Sequence, residues 1–106
     1  MRVFEYQLLT NGDMAADITS PVQQLTQMAM CSIQANFTGS PVGSLILQIS
    51  NDNLVWTDYT GSSTAVSGAG NFLWNLVSTG FQFVRVFYDR TSGTGSLSIT
   101  VNGKGV

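Results

Sequence analysis

The sequence predicts an all-β fold, a single-domain antiparallel β-sandwich or jelly roll of eight or nine short strands. Apolar and polar residues alternate with period two along most of the chain, as they do in strands with one buried face, and no segment of similar length carries the 3.6-residue period of a helix. Clusters of Gly, Ser, Thr, Asn and Asp interrupt the alternation at short intervals, as sandwiches and barrels require. A length of 106 residues supports one core and not two, so residues 1–106 are read as one domain.

Val3 to Leu9 reads as the first strand, closed by the turn dipeptide Asn11-Gly12, and Met14 to Ile18 and Val22 to Thr26 as two short ones. Between Val22 and Met30, the residues Gln23, Gln24, Leu25, Gln27 and Met28 also allow one or two helical turns. In Cys31 to Phe37, the residues Cys31, Ile33, Ala35 and Phe37 share one face. After Gly39-Ser40-Pro41-Val42-Gly43 comes a run with Leu45, Leu47 and Ile49 on one face, and these two strands are expected to pair antiparallel. Asn51-Asp52-Asn53 breaks the strand, and Val55 to Tyr59 resumes extended structure.

Ser62 to Gly70 reads as a loop holding a short edge strand, and Phe72 to Val77 as a buried strand. Phe81 to Tyr88 is apolar on both faces, with Phe81, Phe83 and Phe87 on one side and Val84, Val86 and Tyr88 on the other. That pattern suits a central strand or a subunit contact. Ser96 to Asn102 turns Leu97, Ile99 and Val101 inward, and Ser92-Gly93-Thr94-Gly95 before it reads as a hairpin connection.

Only 9% of residues are charged, against about 25% in ordinary globular chains. A surface of Ser, Thr, Asn and Gln disperses a protein less well than a mixed-charge one, and suits permanent association. The net charge is −2, and Arg2, Arg85, Arg90 and Lys104 cannot supply a phosphate-neutralising patch, so nucleic acid is not an expected partner. Cys31 is the only cysteine, which excludes an internal disulfide and suits core filling. Met1-Arg2-Val3-Phe4 leads directly into Glu5 and Gln7 rather than into an apolar signal run. No stretch approaches the ~20 apolar residues of a membrane span. Synthesis in the cytoplasm of the host and no membrane partner are the expectations.

The chain contains no histidine, which excludes the Ser/His/Asp and Cys/His arrangements and the commonest zinc ligand together. Cys31 has no cationic neighbour in sequence to lower its pKa. The carboxylates Glu5, Asp13, Asp17, Asp52, Asp58 and Asp89 fall mostly in or beside turns, where an aspartate usually bonds its own backbone. Asp13 with Asp17, or Asn51-Asp52-Asn53, lacks the ordered spacing of a calcium loop. Gly61 to Gly70 lacks the lysine of a phosphate cradle. No enzyme activity, cofactor or metal is expected.

Of the aromatics, Trp74 and Phe83 sit in the most apolar segments and read as core, whereas Trp56 and Tyr59 flank polar turns. The candidate contact surface is therefore Trp56 and Tyr59 with the turn Asn51, Asp52 and Asn53. Arg85 shares a side with Phe83 and Phe87 and is expected to find an acidic partner or an aromatic ring.

The run Gly43-Ser-Leu-Ile-Leu-Gln-Ile-Ser-Asn-Asp-Asn-Leu-Val-Trp-Thr-Asp58, then Phe81-Gln-Phe-Val-Arg-Val-Phe-Tyr88, then Gly93-Thr-Gly-Ser-Leu-Ser-Ile-Thr-Val-Asn-Gly-Lys104 resembles small phage-encoded β-sandwich virion proteins with a discoidin-like jelly-roll pattern. The resemblance covers about the last two-thirds of the chain and carries over no binding residues. It implies the fold and a phage context; with the scarce charge, the missing catalytic residues, the lack of an apolar signal run and the two-sided apolar strand, the expectation is a non-enzymatic virion structural protein, such as a capsid decoration or cement protein or a small tail accessory protein. The charge scarcity and the apolar strand Phe81 to Tyr88 add the expectation of self-association, as a homotrimer suited to icosahedral three-fold positions, beside contacts with other virion proteins. The alternative is a carbohydrate- or host-receptor-binding module at a fibre or tail tip, with glycan as the partner.

Overall fold

The computed structural model describes residues 3–25, 28–76 and 80–105. Among these are ten strands and no helix: β1 (Val3–Asp13), β2 (Ile18–Thr19), β3 (Gln23–Gln24), β4 (Met28–Gly39), β5 (Val42–Ser50), β6 (Thr57–Asp58), β7 (Thr64–Ser67), β8 (Gly70–Leu76), β9 (Phe83–Ser92) and β10 (Gly95–Gly105). Thr26 and Gln27 of the ambiguous segment, Val77 at the expected end of β8, and Met1 and Arg2 lie outside the described residues.

The strands form two antiparallel sheets. The first has the order β1-β10-β4-β8 and the second β2-β9-β5-β6, with β3 also on β9 and β7 also on β5. Counting β2 with β3 and β6 with β7 as interrupted edge strands leaves eight strands in two four-stranded sheets, the jelly-roll form of the β-sandwich. In the first sheet, Ile33 on β4 lies between Val101 on β10 and Trp74 on β8, and Ala35 between Ile99 and Phe72. The second sheet contributes Leu45 and Leu47 from β5 and Val84, Val86 and Tyr88 from β9. Ile33, Ala35, Leu45, Leu47, Val84, Tyr88, Leu97, Ile99 and Val101 are all fully buried between the sheets.

Each interrupted edge is stitched to its neighbour by a buried serine. Ser20, between β2 and β3, accepts the Val86 N–H at 2.8 Å through Oγ and donates its own N–H to the Val86 carbonyl at 2.9 Å. Ser62, between β6 and β7, accepts the Leu47 N–H at 3.1 Å and donates to the Tyr59 carbonyl at 2.6 Å. These hydroxyls satisfy backbone groups that a broken strand would leave bare. Short, interrupted edges also offer little template for sheet-to-sheet aggregation, which a chain with few charges must block by geometry.

Several local expectations are corrected. Cys31 to Phe37 and Leu45 to Ile49 do not pair, because β4 and β5 lie in opposite sheets and β4 is already flanked by β10 and β8. Ser92-Gly93-Thr94-Gly95 is not a hairpin but the crossing from β9 in the second sheet to β10 in the first. Asn11-Gly12 does not end β1. The chain bulges there, with Asn11 at φ 53° and its N–H donated to Ser98 Oγ at 3.2 Å, and pairing with β10 continues to Asp13. Met14 to Ile18 yields strand only at Ile18–Thr19, while Met14 plugs the core from a turn and donates its N–H to the Gly95 carbonyl at 2.9 Å.

The run Phe81 to Tyr88 is central in its sheet, between β5 and the β2/β3 edge, but its two faces differ. Val84, Val86 and Tyr88 are buried inward, whereas Phe83 and Phe87 point outward half-buried, so Phe83 is not a core residue. Phe81 precedes the strand and turns toward the core, edge-on to Tyr59 with ring centroids 5.8 Å apart.

Cys31 is buried at the core end of β4, and desolvation pushes its thiol up to about 11. A thiol raised in this way is neutral at pH 7 and suits packing. Replacing it with serine places a hydroxyl in an apolar site, and the expected loss of stability is about 1–3 kcal/mol. Urea denaturation checks the value, and any binding activity should persist below the melting point.

Candidate contact surface

Strand parity fixes what faces outward on the second sheet. In the β5–β9 ladder, Ile46 lies opposite Phe87 and Gln48 opposite Arg85, so these four side chains share the face turned away from the core. Across the other edge of β5, Gln48 lies opposite Asp58 of β6. Arg85 donates Nε–H to Gln48 Oε1 at 2.7 Å, and Gln48 donates Nε2–H to Asp58 Oδ1 at 3.1 Å. The amide thus relays the guanidinium to a carboxylate it does not touch. Trp56 covers the line, with Arg85 Cζ 4.2 Å from its ring centroid, a cation–π distance. Arg85 therefore finds the aromatic partner the sequence requires of it, and Phe83 and Phe87 flank it along β9.

Trp56 and Tyr59 do not share this face. Tyr59 donates its N–H to the Leu47 carbonyl at 2.8 Å and packs inward against Phe81, because three positions along an extended strand reverse the side. Trp74 and Tyr88 are buried. The surface therefore joins Trp56 to Arg85, Gln48, Ile46, Phe83 and Phe87. Period-two alternation along β9 puts Phe83, Arg85 and Phe87 on one side, but Ile46 and Gln48 join them only through cross-strand register.

The turn Asn51, Asp52 and Asn53 closes the adjoining end of the sandwich. Asp52 Oδ1 accepts the N–H groups of Leu54 and Val55, each at 2.9 Å, and the Ser50 hydroxyl at 3.0 Å. Ser50 Oγ in turn accepts the N–H groups of Asp52 at 3.2 Å and Asn53 at 3.0 Å. The backbone bonds from Val55 and Leu54, and then the Ser50 bond, hold the Asp52 carboxyl below the usual carboxylate range. Asn53 sits at φ 61°, a conformation asparagine tolerates better than most residues. Beside the turn is an open cleft of about 360 Å³ between Ile49, Val55, Thr57 and Phe81.

Asp13 accepts the Ala15 N–H at 2.9 Å, a local turn bond, and Asp17 accepts the Arg90 N–H at 2.8 Å, which ties the β1–β2 link to β9. Among the described residues, no three His, Cys, Asp or Glu side chains converge.

The sequence matches no protein-family model and no curated protein. Among solved structures, the fold is similar to that of the PBSX exported protein XepA, with a TM-score of 0.71 at 14% identity, covering 97% of this chain and 37% of that one. It is also similar to the SPBc2 prophage-derived protein YomS, with a TM-score of 0.63 at 11% identity over 96% of this chain and 94% of that one. A third similar structure is the low-affinity xylan-binding module CBM86 from Roseburia intestinalis, with a TM-score of 0.53 at 9% identity over 100% and 97% of the two chains. At such identities the likeness is one of fold, and function has to be argued from the surface.

Proposed function

We propose that this protein is a non-enzymatic phage virion component, a capsid decoration or cement protein or a small tail accessory protein, that acts as a homotrimer through protein–protein contacts. The observation that carries this reading is the outward face of the second sheet, where Ile46, Phe83, Phe87 and Trp56 stand half-buried around Arg85. Aromatic side chains with an arginine among them are the composition of interface anchors. The chain has only four basic and six acidic residues to keep such a face in water, so a permanent protein cover is the economical solution. The fold likeness to a prophage-derived protein agrees with this.

A density map of intact particles tests the reading. The outward face of the second sheet is expected against another virion protein, and Phe87→Glu, on the same face, is expected to remove the protein from particles while leaving it folded. A purified wild-type protein that sediments as a clean monomer and is absent from particles would overturn the proposal.

One observation favours a second reading, a carbohydrate-binding module. Trp56 offers an indole beside the hydrogen-bonding line of Arg85, Gln48 and Asp58, an arrangement suited to stacking a sugar ring while bonding its hydroxyls. A glycan array separates the two readings, since glycan binding that Trp56→Ala abolishes would select the second.

A further inference from the structure

We infer that copies of this chain join by inserting the Leu54–Val55 corner of one into a cleft beside Val3 and Met30 of the next. This rests on the reading of the protein as a homo-oligomer and names the surfaces that would meet.

Leu54 is 83% exposed and Val55 70%. Two adjacent aliphatic side chains in water would be unremarkable on a slack loop, but this corner is not slack. The Ser50 hydroxyl and the Asp52 carboxylate hold every backbone N–H from Asp52 to Val55. A corner already ordered loses little conformational entropy on docking, so its apolar burial is retained as binding energy.

The cleft lies on the outer face of the first sheet, at the end where β1 and β4 begin and β10 finishes, and has a volume of about 410 Å³. Ser32, Asn75 and Asn102 are among its lining residues, and Val3, 70% exposed, and Met30, 43% exposed, supply aliphatic surface. In the register, Lys104 of β10 lies opposite both Val3 and Met30. The charge level with the aliphatic pair is therefore basic, and Glu5, which also lines the cleft, lies two residues further along β1. The corner carries the opposite sign. Asp52 Oδ1 accepts the Ser50 hydroxyl and the N–H groups of Leu54 and Val55, which fixes the carboxylate and its charge beside the aliphatic pair. Aliphatic side chains with an ionised carboxylate would thus face aliphatic side chains with an ammonium group.

Corner and cleft sit at the same end of the sandwich. The Gln82 N–H bonds the Ser50 carbonyl, the Leu25 N–H bonds the Gln82 carbonyl, and the Met28 N–H bonds the Leu25 carbonyl, linking the end of β5 to the start of β4. They belong to opposite sheets, however, so the contact joins two different surfaces of the chain. Such a heterologous contact closes into a ring when the rotation allows it, and a trimer is a ring of this kind.

Sedimentation equilibrium at micromolar concentration tests the inference on the full chain, with far-UV circular dichroism confirming that each variant stays folded. Leu54→Asp with Val55→Asp is expected to weaken association at least about tenfold, the effect of losing one interface anchor, and Lys104→Glu is expected to weaken it less. Cysteines at Leu54→Cys and Met30→Cys are expected to cross-link different copies on oxidation. A folded Leu54→Asp/Val55→Asp protein that associates as tightly as the wild type overturns this interface and leaves the homo-oligomer reading standing. A monomeric wild type overturns both.

Discussion

Trp74→Ala is expected to destabilise the protein by about 3–5 kcal/mol, the range for removing a large aromatic side chain from a packed core. Trp74 is 6% exposed on β8, an edge strand of the first sheet, and meets Phe72 edge-on with ring centroids 5.1 Å apart. Its indole N–H reaches out of its own sheet to the Ser62 carbonyl at 2.8 Å, and Ser62 is the residue that stitches the β6/β7 edge to β5. One side chain therefore fills the core and pins the two sheets together along one edge. Alanine leaves both a cavity and a carbonyl without its donor. Trp74→Phe retains most of the packing and loses the bond, so about 1–2 kcal/mol is expected for that variant. Urea denaturation followed by far-UV circular dichroism, at one protein concentration throughout, measures both. A Trp74→Ala midpoint equal to that of Trp74→Phe would show that the hydrogen bond, and not the packing, carries the effect.

The second large effect is expected at Gly93. It sits at φ 78°, where an L side chain is strained, and a Cβ added there would run into the Ser40 carbonyl oxygen. Two sheet-to-sheet crossings, Ser40-Pro41 and Gly93-Thr94, lie against each other at this point, joined by the Ser40 N–H on the Thr94 carbonyl at 2.9 Å. Backbone cannot rotate aside as a flexible side chain can. Gly93→Ala therefore combines about 1–2 kcal/mol of left-handed strain with about 1–3 kcal/mol for forcing the two crossings apart. Gly61→Ala isolates the first contribution, since Gly61 has φ 80° and nothing within 4 Å of the added carbon. Thermal melts of the two variants are expected to differ by the clash alone, and equal melting points would remove the crossing from the explanation.

Both sites bear on why the fold is legible and the assembly of its strands is not. The alternation in Cys31 to Phe37 and Ser96 to Asn102 identifies β4, β10 and their inward faces, because burial on one side of a strand is a local, period-two property. The core positions of Cys31, Ile33, Leu47, Trp74 and Ile99 follow from the same cause. Asp52 is legible as a turn residue because its bonds run to backbone two and three residues away.

Pairing is not local. The chain between β4 and β5, and that between β9 and β10, reads as a tight turn between neighbours, yet both cross from sheet to sheet. A short glycine-containing link satisfies either geometry, and the choice between them is made by which strands bury more apolar surface together. In the same way, Arg85 can be read as needing a partner, but Gln48 lies 37 residues away and Trp56 reaches the guanidinium only after β5 and β6 have paired. The sequence alone thus determined the fold class, the buried faces of β4, β5 and β10 and the structural roles of Cys31, Trp74 and Asp52, since hydrophobic periodicity and turn chemistry act over a few residues. Only the tertiary structure decided which sheet each strand joined, that Tyr59 and Trp56 part company, and that Ile46, Gln48, Phe83, Arg85 and Phe87 form one surface, because cross-strand register is set by the packing of the whole sandwich.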